Sequence, residues 1–265
     1  MADYEFCKVE REGRLTIVTL NRPEVMNALH APAHAELGQV FDDFAADPEQ
    51  WVAIVTGAGE RAFSAGNDLK VTAAGGGSAR LLPANSAGFG GIVSRFDLDK
   101  PLIAAVNGIA MGGGFEIALA CDIIVAAENA VFALPEPRVG LAALAGGLHR
   151  LPREIGTKQA LGMILTGRRV SAAEGKSLGF VNDVVPAGEA LAAAKKWAAQ
   201  IMEASPMSVR ASKQAVYRGL AEPTLEDALK NQMGYPAVGA LFKSDDFLEG
   251  PRAFAEKRTP NWKGQ

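Results

Sequence analysis

Cysteine is nearly absent: Cys7 and Cys121 are the two in 265 residues, far apart and without a C-x-x-C spacing. That count excludes a disulfide framework, and two buried thiols in a reducing compartment are the expectation. Histidine is as sparse. His30 and His34 stand four apart, His149 stands alone, and no Cys or acidic partner completes a zinc set, so no metal is expected. A surplus of positive charge is missing too: 27 Lys and Arg face 30 Asp and Glu, a net charge of −3. Such a chain has no general attraction for nucleic acid or an anionic membrane. Any anionic ligand must be held by local basic residues or backbone amides. Long apolar runs are lacking as well. Pro101–Ala110 is short and broken by Asn107 and Gly108, so no membrane span is expected. The opening MADYEFCKVEREGR lacks the apolar core of a signal peptide, which makes the cytoplasm the expected location.

What is present fits a globular protein, with 48% hydrophobic and 22% charged residues. The length suffices for a large core, as one domain or one with a smaller appendage. Glu5–Glu10 and Leu15–Leu20 are β-prone runs around Glu12-Gly13, which predicts a hairpin. Ala33–Asp47 carries Leu37, Val40, Phe41 and Phe44 at helical spacing. Trp51–Thr56, Pro101–Val106 and Asp122–Ala127 read as apolar strands of a sheet covered on both faces. Phe115–Cys121 reads as a buried helix after three glycines. Strands, glycine turns and helices in alternation give an α/β layered fold. Later, Ser171 with Glu174 predicts a capped helix, and Phe180–Val185 a lone strand. Four helices are predicted over Glu189–Ala204, Pro206–Gly219, Thr224–Met233 and Ser244–Lys257. Val71–Gly91 is too glycine-rich for a helix. It reads as a surface loop or, because it leaves the segment carrying Asn67, as a substrate lid.

Four patterns carry chemistry. In Ala62–Lys70, Gly66 permits a close backbone approach, and Asn67 and Asp68 tolerate unusual dihedrals. Taken alone, it is a plain turn. In Asn107–Glu116, Gly112, Gly113 and Gly114 leave the first amides of an apolar helix bare, a setting suited to phosphate or an oxyanion. Close helix–strand packing explains the same glycines. Glu116 lies in FEIALA, where a carboxylate is costly to bury, and Glu136 lies between two prolines in FALPEPRVG. A salt bridge of Glu136 with Arg138 is the simpler reading of that residue; as a pair in dry surroundings, the two glutamates suggest acid/base work. The fourth pattern, Leu248–Arg258, is a basic amphipathic tail, ordinarily a solvated face.

Taken together, these runs resemble the crotonase, or enoyl-CoA hydratase/isomerase, family over nearly the full chain. The matches are Asn21-Arg22-Pro23 with Asn27-Ala28-Leu29, FSAGNDLK, AAVNGIAMGGGFEIALACD, FALPEPRVGL, GGLHRLPR and the C-terminal FAEKR, in order and spacing. The resemblance implies a spiral of ββα turns over residues 1–200 and a helical trimerisation region over 201–265. It implies that the Asn67 and Gly113 amides form an oxyanion hole, with Gly112 beside them. It also implies that Glu116 and Glu136 are the catalytic acid/base pair. Ala65, Asn67, Asp68, Leu69 and Lys70 would form the acyl-CoA strip, with Arg61 and Lys70 near the CoA phosphates. Phe254 and Lys257 would complete the CoA site, often that of a neighbouring subunit. No cofactor is implied beyond the coenzyme A of the substrate, and a homotrimer or homohexamer is. GFGGI (Gly88–Ile92), FDLDKP and EGPRAFAEKRTPNWKG are similar to the carnitinyl-CoA dehydratase branch. An isomerase usually needs one acid, a crotonase-fold hydrolase a nucleophile that does not stand out here, and an RNA-binding member a lysine-rich helix that this chain lacks.

Overall fold

The computed structural model describes residues 4–74 and 87–265. The predicted hairpin is present: β1 (Cys7–Glu12) and β2 (Leu15–Leu20) pair antiparallel, from Cys7 opposite Leu20 to Glu12 opposite Leu15. Gly13, at φ +59°, makes the turn where a side chain would be strained. Helix α1 (Ala31–Ala46) buries His34, Leu37, Phe41 and Phe44, one stripe at helical spacing.

Strands then arrive in pairs: β3 (Val52–Gly57) with β4 (Ala62–Ser64), β5 (Leu102–Val106) with β6 (Ile109–Met111), and β7 (Ile123–Ala127) with β8 (Val131–Ala133). Helices α2 (Leu69–Ala74), α3 (Gly113–Ala120) and α4 (Gly147–Ile155) follow these pairs in turn. Next come α5 (Thr157–Thr166), β9 (Val170–Ser171), α6 (Ala172–Leu178) and β10 (Asp183–Val185). The first strand of each pair joins a six-stranded sheet of order β1-β2-β3-β5-β7-β10, and the second a four-stranded sheet of order β4-β6-β8-β9. The chain therefore climbs as successive ββα turns, the spiral architecture anticipated for it. Phe180–Val185 is not a lone strand: its last three residues pair parallel with β7, while Phe180 and Val181 are buried in the core.

The all-apolar strands are explained by their two covered faces. Val18, Val55, Ala104 and Ala126 point into the larger core with α1 and α3. Their chain neighbours Ile17, Ile54, Ile103 and Val125 point the other way, onto α7 (Ala190–Met202). Ala190, Ala194 and Ala198 form the contact stripe of α7, and their small side chains let it lie close to the sheet. Phe115, Phe132 and Phe180 cluster with ring centroids 5.1–5.2 Å apart, a favourable aromatic spacing, and they back α3.

The C-terminal helices are α8 (Pro206–Gly219), α9 (Leu225–Asn231), α10 (Pro236–Leu241) and α11 (Asp245–Glu256). Buried Asp246 ties them together: it accepts the Ser205 hydroxyl at 2.8 Å, at the start of α8, and the Lys263 amide at 2.7 Å. Apolar side chains remain on the outside, among them Leu220, Leu225, Met233 and Phe254.

Candidate active site

The bend between β4 and α2 is held from two sides. The Leu29 amide donates to Gly66 O at 2.7 Å, and the Asp68 amide donates to Leu29 O at 2.8 Å. In that parallel bridge Asn67 is the residue skipped, so its own N–H points away from Leu29. Gly66, at φ +86°, lies hard against the first turn of α3: a Cβ there would come within 2.8 Å of the Gly113 nitrogen and 2.6 Å of Met111 O. The bend carrying Asn67 and the helix start carrying Gly113 are thus in direct contact. Among the described residues, neither the Asn67 nor the Gly113 amide donates to a protein acceptor. Gly113 opens α3 after Gly112, whose dihedrals (φ 52°, ψ −124°) are open to glycine alone.

Glu116 follows one turn later and is buried at 3% exposure. Its Oε1 accepts the Gly147 amide at 2.9 Å, at the start of α4. Burial pushes the Glu116 carboxyl up to about 7, and the neighbouring charge of Glu136 adds to that. The Gly147 amide works in the opposite sense and is outweighed. Glu136 begins a short turn, Glu136–Val139, and burial raises its carboxyl as well. Its Oε1 lies where a Cβ on Gly112 would approach within 2.7 Å, so Gly112 leaves room for it. Its Oε2 is buried with no hydrogen-bond partner among the described residues. The alternative of a Glu136–Arg138 salt bridge is not realised: the Arg138 Nε donates to Thr166 O at 2.9 Å instead. Two carboxylates of raised proton affinity therefore belong to one region, Glu136 against Gly112 and Glu116 one helical turn past it, near two amides unpaired among the described residues. That arrangement can pass protons and receive a developing negative oxygen.

The remaining anticipated residues divide. Ala65 is half-buried beside Gly66, whereas Arg61, Leu69 and Lys70 are exposed. The carboxylate of Asp68 is engaged in the fold: it pairs with Arg22 at 3.1 Å and accepts the Val71 amide at 3.3 Å, capping α2. Burial would raise its pKa, but the Val71 amide and the Arg22 guanidinium outweigh that and hold it below the usual carboxylate range. Phe254 (88% exposed) and Lys257 lie at the end of α11, uncovered by their own chain. Val71–Gly91 is not loop throughout: α2 runs to Ala74 and a 3-10 turn spans Phe89–Gly91. The lid reading of its centre, residues 75–86, falls outside the described residues. The sequence reading missed Gly147, although Gly146-Gly147 before a helix repeats the signal of Gly112–Gly114. It also missed Phe89, whose ring packs on Gly113.

The family described as Enoyl-CoA hydratase/isomerase matches residues 10–265. The chain belongs to that family. Carnitinyl-CoA dehydratase of Salmonella enteritidis PT4 (strain P125109) is 45% identical to this family member, over 98% of this chain and 99% of that one. The crystal structure of enoyl-CoA hydratase from Mycobacterium tuberculosis H37Rv superposes with a TM-score of 0.90 at 38% identity, covering 98% and 99% of the two chains. That from Bacillus anthracis gives 0.87 at 36%, covering 98% and 100%. The fold is therefore the crotonase fold, and family and relatives together support a crotonase-family hydro-lyase acting on CoA thioesters.

Proposed function

We propose that this protein adds or removes water at the 2,3-bond of an enoyl-CoA thioester, with Glu116 and Glu136 as the acid/base pair. The observation that carries the reading is the pair itself: two carboxyls raised by burial, Glu136 against Gly112 and Glu116 near enough to feel its charge, with Glu136 Oε2 buried and unpartnered among the described residues. In hydration, Glu116 orients and deprotonates the water that attacks C3, and Glu136 delivers a proton to C2. Negative charge gathers on the thioester oxygen, where the Asn67 and Gly113 amides receive it. Dehydration is the same path reversed. Arg61 and Lys70 are exposed beside the bend and supply positive charge for CoA phosphates. Phe254 and Lys257 serve the CoA of a neighbouring subunit, in a homotrimer or homohexamer built through residues 201–265. The cytoplasm is the proposed location.

A second reading narrows the substrate to carnitinyl-CoA and its dehydration product. It is favoured by the 45% identity over essentially full length to carnitinyl-CoA dehydratases. One experiment addresses both. Purified protein is assayed for hydration of crotonyl-CoA and of crotonobetainyl-CoA by loss of enoyl thioester absorbance. Turnover of either supports the hydro-lyase reading, and a large preference in kcat/KM for crotonobetainyl-CoA selects the narrower one. No turnover of either or of longer enoyl-CoAs overturns both.

A further inference from the structure

The turn Phe89–Gly91 is wedged between two helices that do not otherwise share the site. A Cβ on Gly90 would lie 2.6 Å from Ile117 Cδ1 on α3, and one on Gly91 would lie 2.6 Å from the Gly38 nitrogen on α1. Both glycines have positive φ, +62° and +72°, so the turn owes its shape to residues without side chains. Its one side chain, Phe89, is buried at 3% exposure, and its ring occupies the place where a Cβ on Gly113 would project. Across the turn stands His34 of α1, also 3% exposed. Its Nδ1 accepts the Gly90 amide at 3.1 Å, and its ring packs on Phe89 with centroids 4.3 Å apart.

We propose that His34 is a positioning residue for the reaction: by accepting the Gly90 amide and packing on Phe89, it holds the Phe89 ring against Gly113 and fixes the aim of the Gly113 amide. This rests on the reading that the Gly113 amide receives the thioester oxygen. The geometry suits the task. Gly113 has no side chain of its own to lock its peptide plane, and an oxyanion donor must be held in place before charge develops. An aromatic ring pressed on its Cα supplies that restraint from outside. Burial holds the His34 ring well below its usual pKa, at about 4, with the charge of His30 adding to the effect. At neutral pH the imidazole therefore keeps the Nδ1 lone pair that the Gly90 amide needs.

The test compares wild type with His34→Asn, His34→Leu and Phe89→Leu, measuring melting temperature, kcat and KM on whichever enoyl-CoA the wild type turns over. Asn places Oδ1 where His has Nδ1, so it keeps the acceptor; Leu removes it. His34→Leu and Phe89→Leu should lose kcat by about 10-fold to 10²-fold, the scale of a small misplacement at a reacting centre. KM should change little, because substrate binding elsewhere is untouched. His34→Asn should recover most of the lost kcat. Unchanged kcat in His34→Leu, or equal losses in His34→Asn and His34→Leu, overturns the proposal. Should His34→Leu fail to fold, Phe89→Leu decides: wild-type kcat there overturns it, and a kcat loss at constant KM supports it. An inactive wild type would instead count against the hydro-lyase reading, which keeps the two failures apart.

Discussion

A carboxylate is most costly where water is farthest, and Glu116 is held there by the apolar helix around it. An acid whose folded pKa is raised binds more protons folded than unfolded, so stability falls as pH rises between the two values. For Glu116 the window runs from the ordinary 4.5 to about 7, and the loss across it is on the order of 3 kcal/mol. Glu116→Gln keeps an oxygen for the Gly147 amide but carries no charge. It should melt above wild type at pH 8 and converge with it near pH 4, as followed by circular dichroism. A variant melting no higher at pH 8 would remove the burial cost from the account. The same variant should lose hydration by about 10²-fold or more, and Glu136→Gln likewise, with acyl-CoA binding retained. Full activity in either would sink the acid/base assignment. Glu116 stands out in the sequence because no other charge enters its apolar run FEIALA; Glu136, with Arg138 two residues on, stands out only as the second member of a pair. Phe89 and His34 do not stand out, because their relation to Gly113 exists only once α1 and the 89–91 turn are packed on α3.

At the scale of the element, the glycines at the start of α3 fit both readings that the sequence allows, unpaired amides and close packing of helix on strand. Bare amides at a helix start are foreseeable from Gly112–Gly114. The structure adds that Gly114 lies against the Ser64 carbonyl and Gly113 against the Phe89 ring, so a side chain at either meets protein first. Gly113→Val should therefore abolish turnover by displacing Phe89, before any obstruction of the incoming carbonyl. Gly114→Ala should cost about 1–3 kcal/mol, as overpacking does. Gly162 in α5 is the contrast: no atom lies within 4 Å of a Cβ there. Gly162→Ala should stabilise the helix by about 0.5–1 kcal/mol. Denaturant unfolding of the two alanine variants checks both signs, and a stable Gly114→Ala would mean that strand β4 yields easily. The long elements are readable from periodicity: α1, α7, α8 and α11 lie within a few residues of their expected bounds. The three-residue strands β4, β6 and β8 are too short to show alternation, so the second sheet is invisible in the sequence. Helix α4 is missed because Pro152 and the glycines beside it read as breakers.

For the whole molecule, the proposed trimer would be built on the C-terminal helices, which carry exposed apolar side chains. Leu220, Leu225 and Phe254 are each more than three-quarters exposed, apolar surface that such an assembly could cover. Light scattering should return three or six times the chain mass of 27.8 kDa. A stable species at the single-chain mass would overturn the trimeric reading. The two thiols lead somewhere else. Cys7 lies in the outer strand β1 and Cys121 just past the end of α3, at 1% and 6% exposure, and burial raises both. A thiol reagent can reach either only when the surrounding structure opens. Cys7, on a hairpin at the sheet edge, should be modified sooner than Cys121. The molecule thus carries two native clocks, one timing the fraying of its margin and the other the rarer loosening of its centre.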